Sequence, residues 1–302
     1  MNTLAKGTNA KLMIQLDGTA STGDSTGLYI NAPDVVVRGL VINRFAEGMV
    51  VESNAANTRI VGDFIGPSPS GTAAPGNPDI AVSVYDVSGV TNNTVGGSTP
   101  ATRNLISGNA GGVTIGSDGN RVSNNLIGVQ RDGANPLGND DFGVLVSGSH
   151  NLIGGATPDY ANTIAFSHNA GVYVQAGWGG PAHVGNRITS NSIFSNGDLG
   201  IDLSNDGVTP NDAGDPDTGV NNLQNKPVLS SAKMGAGKTT IKGKLNSTPG
   251  KTFQVQFFSN PKGTNQGKIL LGSKSVTTDG MGNVSFTFAP SPLRRRSGWD
   301  RT

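Results

Sequence analysis

Residues 112–143 read GVTIGSDGNRVSNNLIGVQRDGANPLGNDDFG, and the run GVLV that starts at Gly143 begins the same pattern again. The stretch holds three short apolar runs, Val113–Ile115, Val122 and Leu126–Val129, separated by Gly, Asn and Asp. None of them keeps a helical spacing, so each reads as a short strand. A segment of three strands that restarts itself predicts a coil stacked on copies of itself.

The restart can be followed outward in both directions. It appears as GLYI from Gly27, GMVV from Gly48, IAVSV from Ile80, GVYV from Gly171 and GIDL from Gly200. In these strands the Val and Ile either side of the third residue are expected to point inward, and the third residue outward. A second, longer period overlies the first. IGPSPSGTAAPGNPD (65–79) matches IGVQRDGANPLGNDD (127–141), and NTVGGSTP (93–100) matches NLIGGATP (151–158). The repeating unit is therefore a pair of coils that differ in which turn carries the long loop. Asn104, Asn125, Asn162 and Asn191 recur at one turn and are expected to stack as an amide ladder, because Asn tolerates tight turns and pairs with its own copies. The expected fold class is all-β: a parallel β-helix, or solenoid, over residues 1–203.

Composition agrees with this reading and removes several function classes. Gly numbers 45 and Pro 16, while charged residues make up only 14% and aromatics 5%. A net charge of +1 gives no electrostatic case for nucleic acid or an anionic membrane surface. Cysteine is absent, which excludes disulfides, thiolate metal sites and a Cys nucleophile. No apolar run approaches the roughly 20 residues of a membrane-spanning helix, so membrane insertion is not expected. The opening MNTLAKGTNAKLMIQLDG lacks the features of a signal peptide, and the closing SPLRRRSGWDRT is basic and unlike the rest. Both ends read as boundaries of a piece, with residues 291–302 as a disordered or cloning-derived tail.

Near Asp202 the repeat stops. Residues 204–227 are rich in Asp, Asn, Gly and Pro and read as a cap and linker. Alternating segments at Thr239–Leu245, Thr252–Phe258, Lys268–Val276 and Val284–Phe288 then predict a small β-sandwich over residues 228–290.

The double-coil units NRVSNNLIGVQRDGANPLGN and NNTVGGSTPATRNLISGNAGGVTI resemble those of bacterial secreted right-handed parallel β-helix repeat proteins. The block GIDLSNDGVTPNDAGDPDTGVNNLQNKPVL, followed by TFQVQFFSNP, is similar to the passage from such a helix into an Ig-like module. The resemblance implies a pectin-lyase-like fold, right-handed coils and a secreted or cell-surface setting, and it supplies no active site.

Chemistry is sought among residues that break the repeat. Asp140 and Asp141 precede Gly143, His168 precedes Gly171, and Asp198 precedes Gly200. Counted back from each restart, Asp141, Asn169 and Asp198 share one column, and Asp140 and His168 share the next. Asp202 stands where earlier coils carry Thr114, Leu145 and Tyr173. Carboxylates two rungs apart lie about 10 Å from each other, near the upper end of the separation used in inverting glycoside hydrolysis. His168 between them is placed to assist proton transfer. The arrangement resembles the Asp-Asp followed one coil later by His of polygalacturonases, although the Asn-Thr-Asp, Gly-His-Gly and Arg-Ile-Lys motifs of those enzymes are absent.

Asp140, Asp141, His168, Asp198 and Asp202 are thus the candidate catalytic residues. Tyr173, Gln175 and Trp178 are candidate sugar contacts. Asp212, Asp215, Asp217 and Asn221 offer hard oxygen donors at short spacing, which suits Ca²⁺. Arg59, Arg121 and Arg187 recur at one offset in alternate coils and are the basic groups a lyase would need, but on another face. Gly235-Ala-Gly-Lys-Thr-Thr is not a phosphate loop, since Ala232 stands where the first Gly belongs. No Gly-x-Ser-x-Gly elbow exists. The expected function is a secreted polysaccharide-active protein, a glycoside hydrolase or polysaccharide lyase. The alternative is a non-catalytic, adhesive or glycan-binding surface solenoid.

Overall fold

A computed structural model describes residues 1–85, 90–176, 182–235 and 238–290. The described chain is all-β with almost no helix, and it divides into two compact units. The first comprises Met1–Thr209, Thr218–Leu223 and Asn260–Ile269.

In the first unit the strands sort by threes into parallel sheets, an arrangement compatible with a β-solenoid. The first sheet stacks Ile14–Asp17, Leu40–Asn43, Phe64–Ile65, Leu105–Ile106, Leu126–Ile127, Thr163–Ala165 and Ser192–Phe194 in that order. The second stacks Thr26–Ile30, Glu47–Val51, Ile80–Val84, Gly111–Ile115, Val144–Val146, Val172–Val174 and Ile201–Leu203. These are the strands of the sequence restart, paired in register: Val113 with Val82 and Val144, Tyr173 with Leu145 and Asp202. The third sheet holds Val36–Arg38, Arg59–Val61, Thr94–Gly96, Arg121–Ser123, Leu152–Gly154 and Arg187–Thr189.

The pleat explains what is buried. Val113, Ile115, Val144, Val146, Val172 and Val174 are inaccessible to solvent, or nearly so. All of these but Val174 form, with Ile106, Ile127, Ile153 and Ile164, one continuous apolar core along the stack. Each such side chain contributes roughly 1.5–3 kcal/mol on burial, so the core is held by many equal rungs and not by a single anchor.

The turns between sheets are held by side-chain amides. Asn104 Nδ2 donates to Asn125 Oδ1 at 3.0 Å, Asn125 to Asn162 at 3.0 Å and Asn162 to Asn191 at 2.9 Å. A second ladder runs through Asn77, Asn109 and Asn139. In a third, the backbone N–H groups of Asn93, Asn120, Asn151 and Asn186 donate in turn to the next residue's Oδ1, ending on Asn221. The last coil is closed by the distant segment Asn260–Ile269 of the same unit. Gln266 Oε1 there accepts the backbone and side-chain N–H groups of Asn196 at 3.0 and 3.1 Å, as the next ladder residue would. The Lys268 ammonium lies 4.1 Å from the centre of the Phe194 ring.

The second unit comprises Pro210–Asp217, Gln224–Ser259 and the described residues from Leu270 onward. Val228–Gly235, Lys238–Asn246 and Asn283–Phe288 form a small antiparallel sheet, and Thr252–Ser259 pairs with Ile269–Thr277. Ile241, Leu245, Val255, Phe257, Val276 and Phe286 make its core. The strand Val228–Gly235 was not foreseen; nearly all of its residues are exposed, so it carries no alternation of buried and exposed positions to read. The expected tail, 291–302, lies outside the described residues.

Candidate functional site

The residues that break the repeat gather on the outward side of the second sheet. Its outward column runs Tyr29, Val50, Ser83, Thr114, Leu145, Tyr173 and Asp202, each in register with the next. At the last rungs, Asn169 N–H donates to the Asp141 carbonyl at 2.8 Å and Asp198 N–H to the Asn169 carbonyl at 3.1 Å. Asp141, Asn169 and Asp198 therefore stand one above another. The Asn169 amide also donates to Asp141 Oδ1 at 2.6 Å, which fixes that half-buried carboxylate. Asp198 is exposed.

Asp202 differs from both. It is only 4% exposed, its Oδ2 accepts the Gly207 N–H at 3.2 Å, and its Oδ1 is buried with no hydrogen-bond partner. Burial, then the nearby charges of Asp206 and Asp198, holds its pKa above the ordinary carboxylate value. The Tyr173 hydroxyl is likewise pushed up, first by burial and then by Asp141, Asp198 and Asp202.

Several expectations change on this face. Tyr173 is 5% exposed and packs edge-on against Phe142 at 6.4 Å between ring centres, with Ala170, Ile80 and Leu145 around them. It forms a wall of the site and offers no open ring for a sugar to stack on. Phe142 is the reason, and it was missed because no earlier coil carries an aromatic at that place: Ile80 and Gly111 stand there instead. Gln175 is half-buried, and Trp178 lies outside the described residues. Asp140 and His168 are exposed, one position outside the acid column, with the His168 N–H donating to the Asn139 carbonyl at 3.0 Å.

A second polar group on the same sheet was not anticipated. Glu47 Oε1 accepts Ser83 Oγ at 2.5 Å and the Tyr85 hydroxyl at 2.9 Å, and Ser83 is 1% exposed. Burial and that bond to Glu47 push the Tyr85 hydroxyl up to about 12. The signal available in the sequence was Glu47 itself, a carboxylate directly ahead of a restarting Gly.

Arg59, Arg121 and Arg187 begin alternate strands of the third sheet and fall in register through Thr94 and Leu152. Arg121 lies 5.3 Å from the Tyr160 ring centre. They belong to a different sheet from the acid column.

In the second unit Asp212, Asp215 and Asp217 bring carboxylate oxygens within 4.8 Å of one another. Asp215 is engaged by Ser247 Oγ, Gln224 and the Asn225 N–H, whereas Asp217 Oδ1 is buried without a partner. Burial, then Asp212 and Asp215, raises the Asp217 pKa. Three hard oxygens crowded in this way fit a divalent cation. Asn221, expected as a fourth donor, belongs instead to the turn ladder: its Oδ1 accepts the Asn186 N–H and its Nδ2 donates to the Asn186 carbonyl.

No protein-family model matches this chain, and no curated protein matches it. Its functional reading rests on the sites themselves.

Proposed function

We propose that the first unit is a right-handed parallel β-helix of the pectin-lyase-like kind, that the second is an Ig-like module, and that the protein is exported and hydrolyses polysaccharide on the Asp141–Tyr173–Asp198–Asp202 face. The observation that carries this reading is Asp202: a buried carboxylate with one free oxygen and a raised pKa, beside two more accessible acids.

A buried carboxyl and a more accessible one divide the work of acid and base. Asp202 keeps its proton and donates it to the glycosidic oxygen as the C–O bond breaks. Asp141 or Asp198 takes a proton from water, whose oxygen adds to the anomeric carbon. Asp141 and Asp198, the two candidate bases, stand two rungs apart in one column, about 10 Å from each other. Elimination is the weaker reading, because the stacked arginines Arg59, Arg121 and Arg187 stand on another sheet. The cation site at Asp212, Asp215 and Asp217 is proposed to take Ca²⁺ as a structural ion, with no part in the reaction.

Incubation with a panel of polysaccharides tests the assignment. New reducing ends without the ultraviolet absorbance of unsaturated products are the expected result. Unsaturated products point to a lyase, and no cleavage of any polymer overturns catalysis in favour of an adhesive solenoid.

A further inference from the structure

The substrate class can be read from the charge on the same face. None of the strands of the second sheet, TGLYI, EGMVV, IAVSV, GGVTI, VLV, VYV and IDL, contains Lys, Arg or His. Acids are what its columns and edges carry: Glu47 and Glu52 toward the first rungs, Asp141, Asp198, Asp202 and Asp206 at the last. Tyr29 donates its hydroxyl to Glu52 at 2.6 Å, and Tyr85 and Ser83 donate to Glu47. The hydroxyls of Tyr29, Ser83 and Tyr85 on this face thus all end on carboxylates.

Several basic residues of the first unit are engaged elsewhere. Arg44 pairs with Asp17 at 2.6 Å, Arg103 binds the carbonyls of Leu4, Ala5 and Gly7, and Arg131 those of Thr8, Ser70 and Ala10. Lys268 covers Phe194, and Arg121 lies against Tyr160. His168, exposed and one place outside the acid column, is the basic side chain nearest in register.

The acid column alone would not define a site. Asp202 supplies the independent sign of a ligand: it is 4% exposed, lies in the outward column directly beside Tyr173, and leaves Oδ1 without a donor.

We propose that this face binds glycans that carry no anionic groups, whether neutral or amine-bearing, and rejects polyuronates. The inference rests on the glycan reading above. A uronate at each sugar would bring its carboxylate toward Asp141, Asp198 and Glu47, where the strands of the sheet supply no cation to balance it, and like charges so placed repel. A hydroxyl or ammonium donates to the same oxygens.

The test measures binding of the whole protein by calorimetry, at low salt, to matched oligomers of glucose, glucosamine and galacturonate. The expected result is association with the glucose or glucosamine oligomer at least about tenfold tighter than with galacturonate. That gap should shrink as salt is added, and in the double variant Asp141→Asn/Asp198→Asn. Galacturonate binding as tightly as the others overturns the charge selection while leaving a glycan-binding protein. A gap unmoved by the double variant also overturns it. Binding of none of the three overturns both this inference and the function it rests on.

Discussion

Asp63 shows how one atom can set a pH dependence. It stands at the head of the ladder formed by Asn104, Asn125, Asn162 and Asn191, and its N–H donates to Asn104 Oδ1 at 2.9 Å. Its Oδ1 accepts the Leu40 N–H at 2.8 Å, but Oδ2, which stands where the other rungs carry an amide NH₂, is buried and unpartnered. A protonated carboxyl imitates the amide; an ionised one meets Asn104 Oδ1 with charge and no hydrogen. Burial accordingly pushes the Asp63 pKa up to about 7, against backbone N–H donors that pull it down. The raised value fixes the sign. Below the ordinary Asp pKa both folded and unfolded chains hold the proton, and the native state is not penalised. As pH climbs toward 7 only the unfolded chain gives the proton up, so stability falls, and it levels off above 7. The full penalty is about 4 kcal/mol. Thermal midpoints of wild type and Asp63→Asn at acid and mildly alkaline pH should diverge, with the variant increasingly the more stable. A difference that does not change with pH contradicts this account.

Residue by residue, legibility followed contrast with the repeat. Asp202 could be found because its column otherwise holds Val50, Ser83, Thr114, Leu145 and Tyr173. Asp63 escaped because Asp looks like an ordinary turn residue until its column is known to need an amide. Tyr173 was placed on the correct side of its strand, yet its burial depends on Phe142 from the preceding coil, a contact no periodicity encodes.

At the scale of elements, the turns carry the information that the strands lack. Short strands such as Leu105–Ile106 and Leu126–Ile127 make few ladder bonds of their own, and the stacked amides between them fix the register. The four Asn of one ladder were readable because each copy sits at the same offset. Gln266 was not readable, because it closes its ladder from a segment far along the chain. The loop bearing Asp212, Asp215 and Asp217 is the element whose behaviour should respond to metal. Its three carboxylates repel one another, and Asp217 has no internal donor for one oxygen. Ca²⁺ in the millimolar range or below, typical of extracellular sites, should raise the unfolding temperature of the wild type, and a chelator should reverse it. Asp217→Asn should lose most of that response. An unfolding temperature indifferent to Ca²⁺ sinks the assignment.

Over the whole molecule, repetition and its interruption do different jobs. The first unit's core is a stack of equivalent Val and Ile rungs with paired backbones, so stability is spread along it and individual outward positions are free to vary. Function is therefore expected where outward residues depart from their copies, and those departures collect on the second sheet's last rungs. The architecture was legible in the sequence because side-chain alternation and rung stacking impose a period on the residues. The candidate site has no such period: what sets Asp202 apart is burial and the neighbouring charges of Asp206 and Asp198. The most direct test of the central claim is kcat/KM of wild type and Asp202→Asn on the polymer the wild type cleaves best, with folding of both checked by circular dichroism. Loss of the general acid predicts a fall of about two to four orders of magnitude; equal rates in the two proteins would contradict the account.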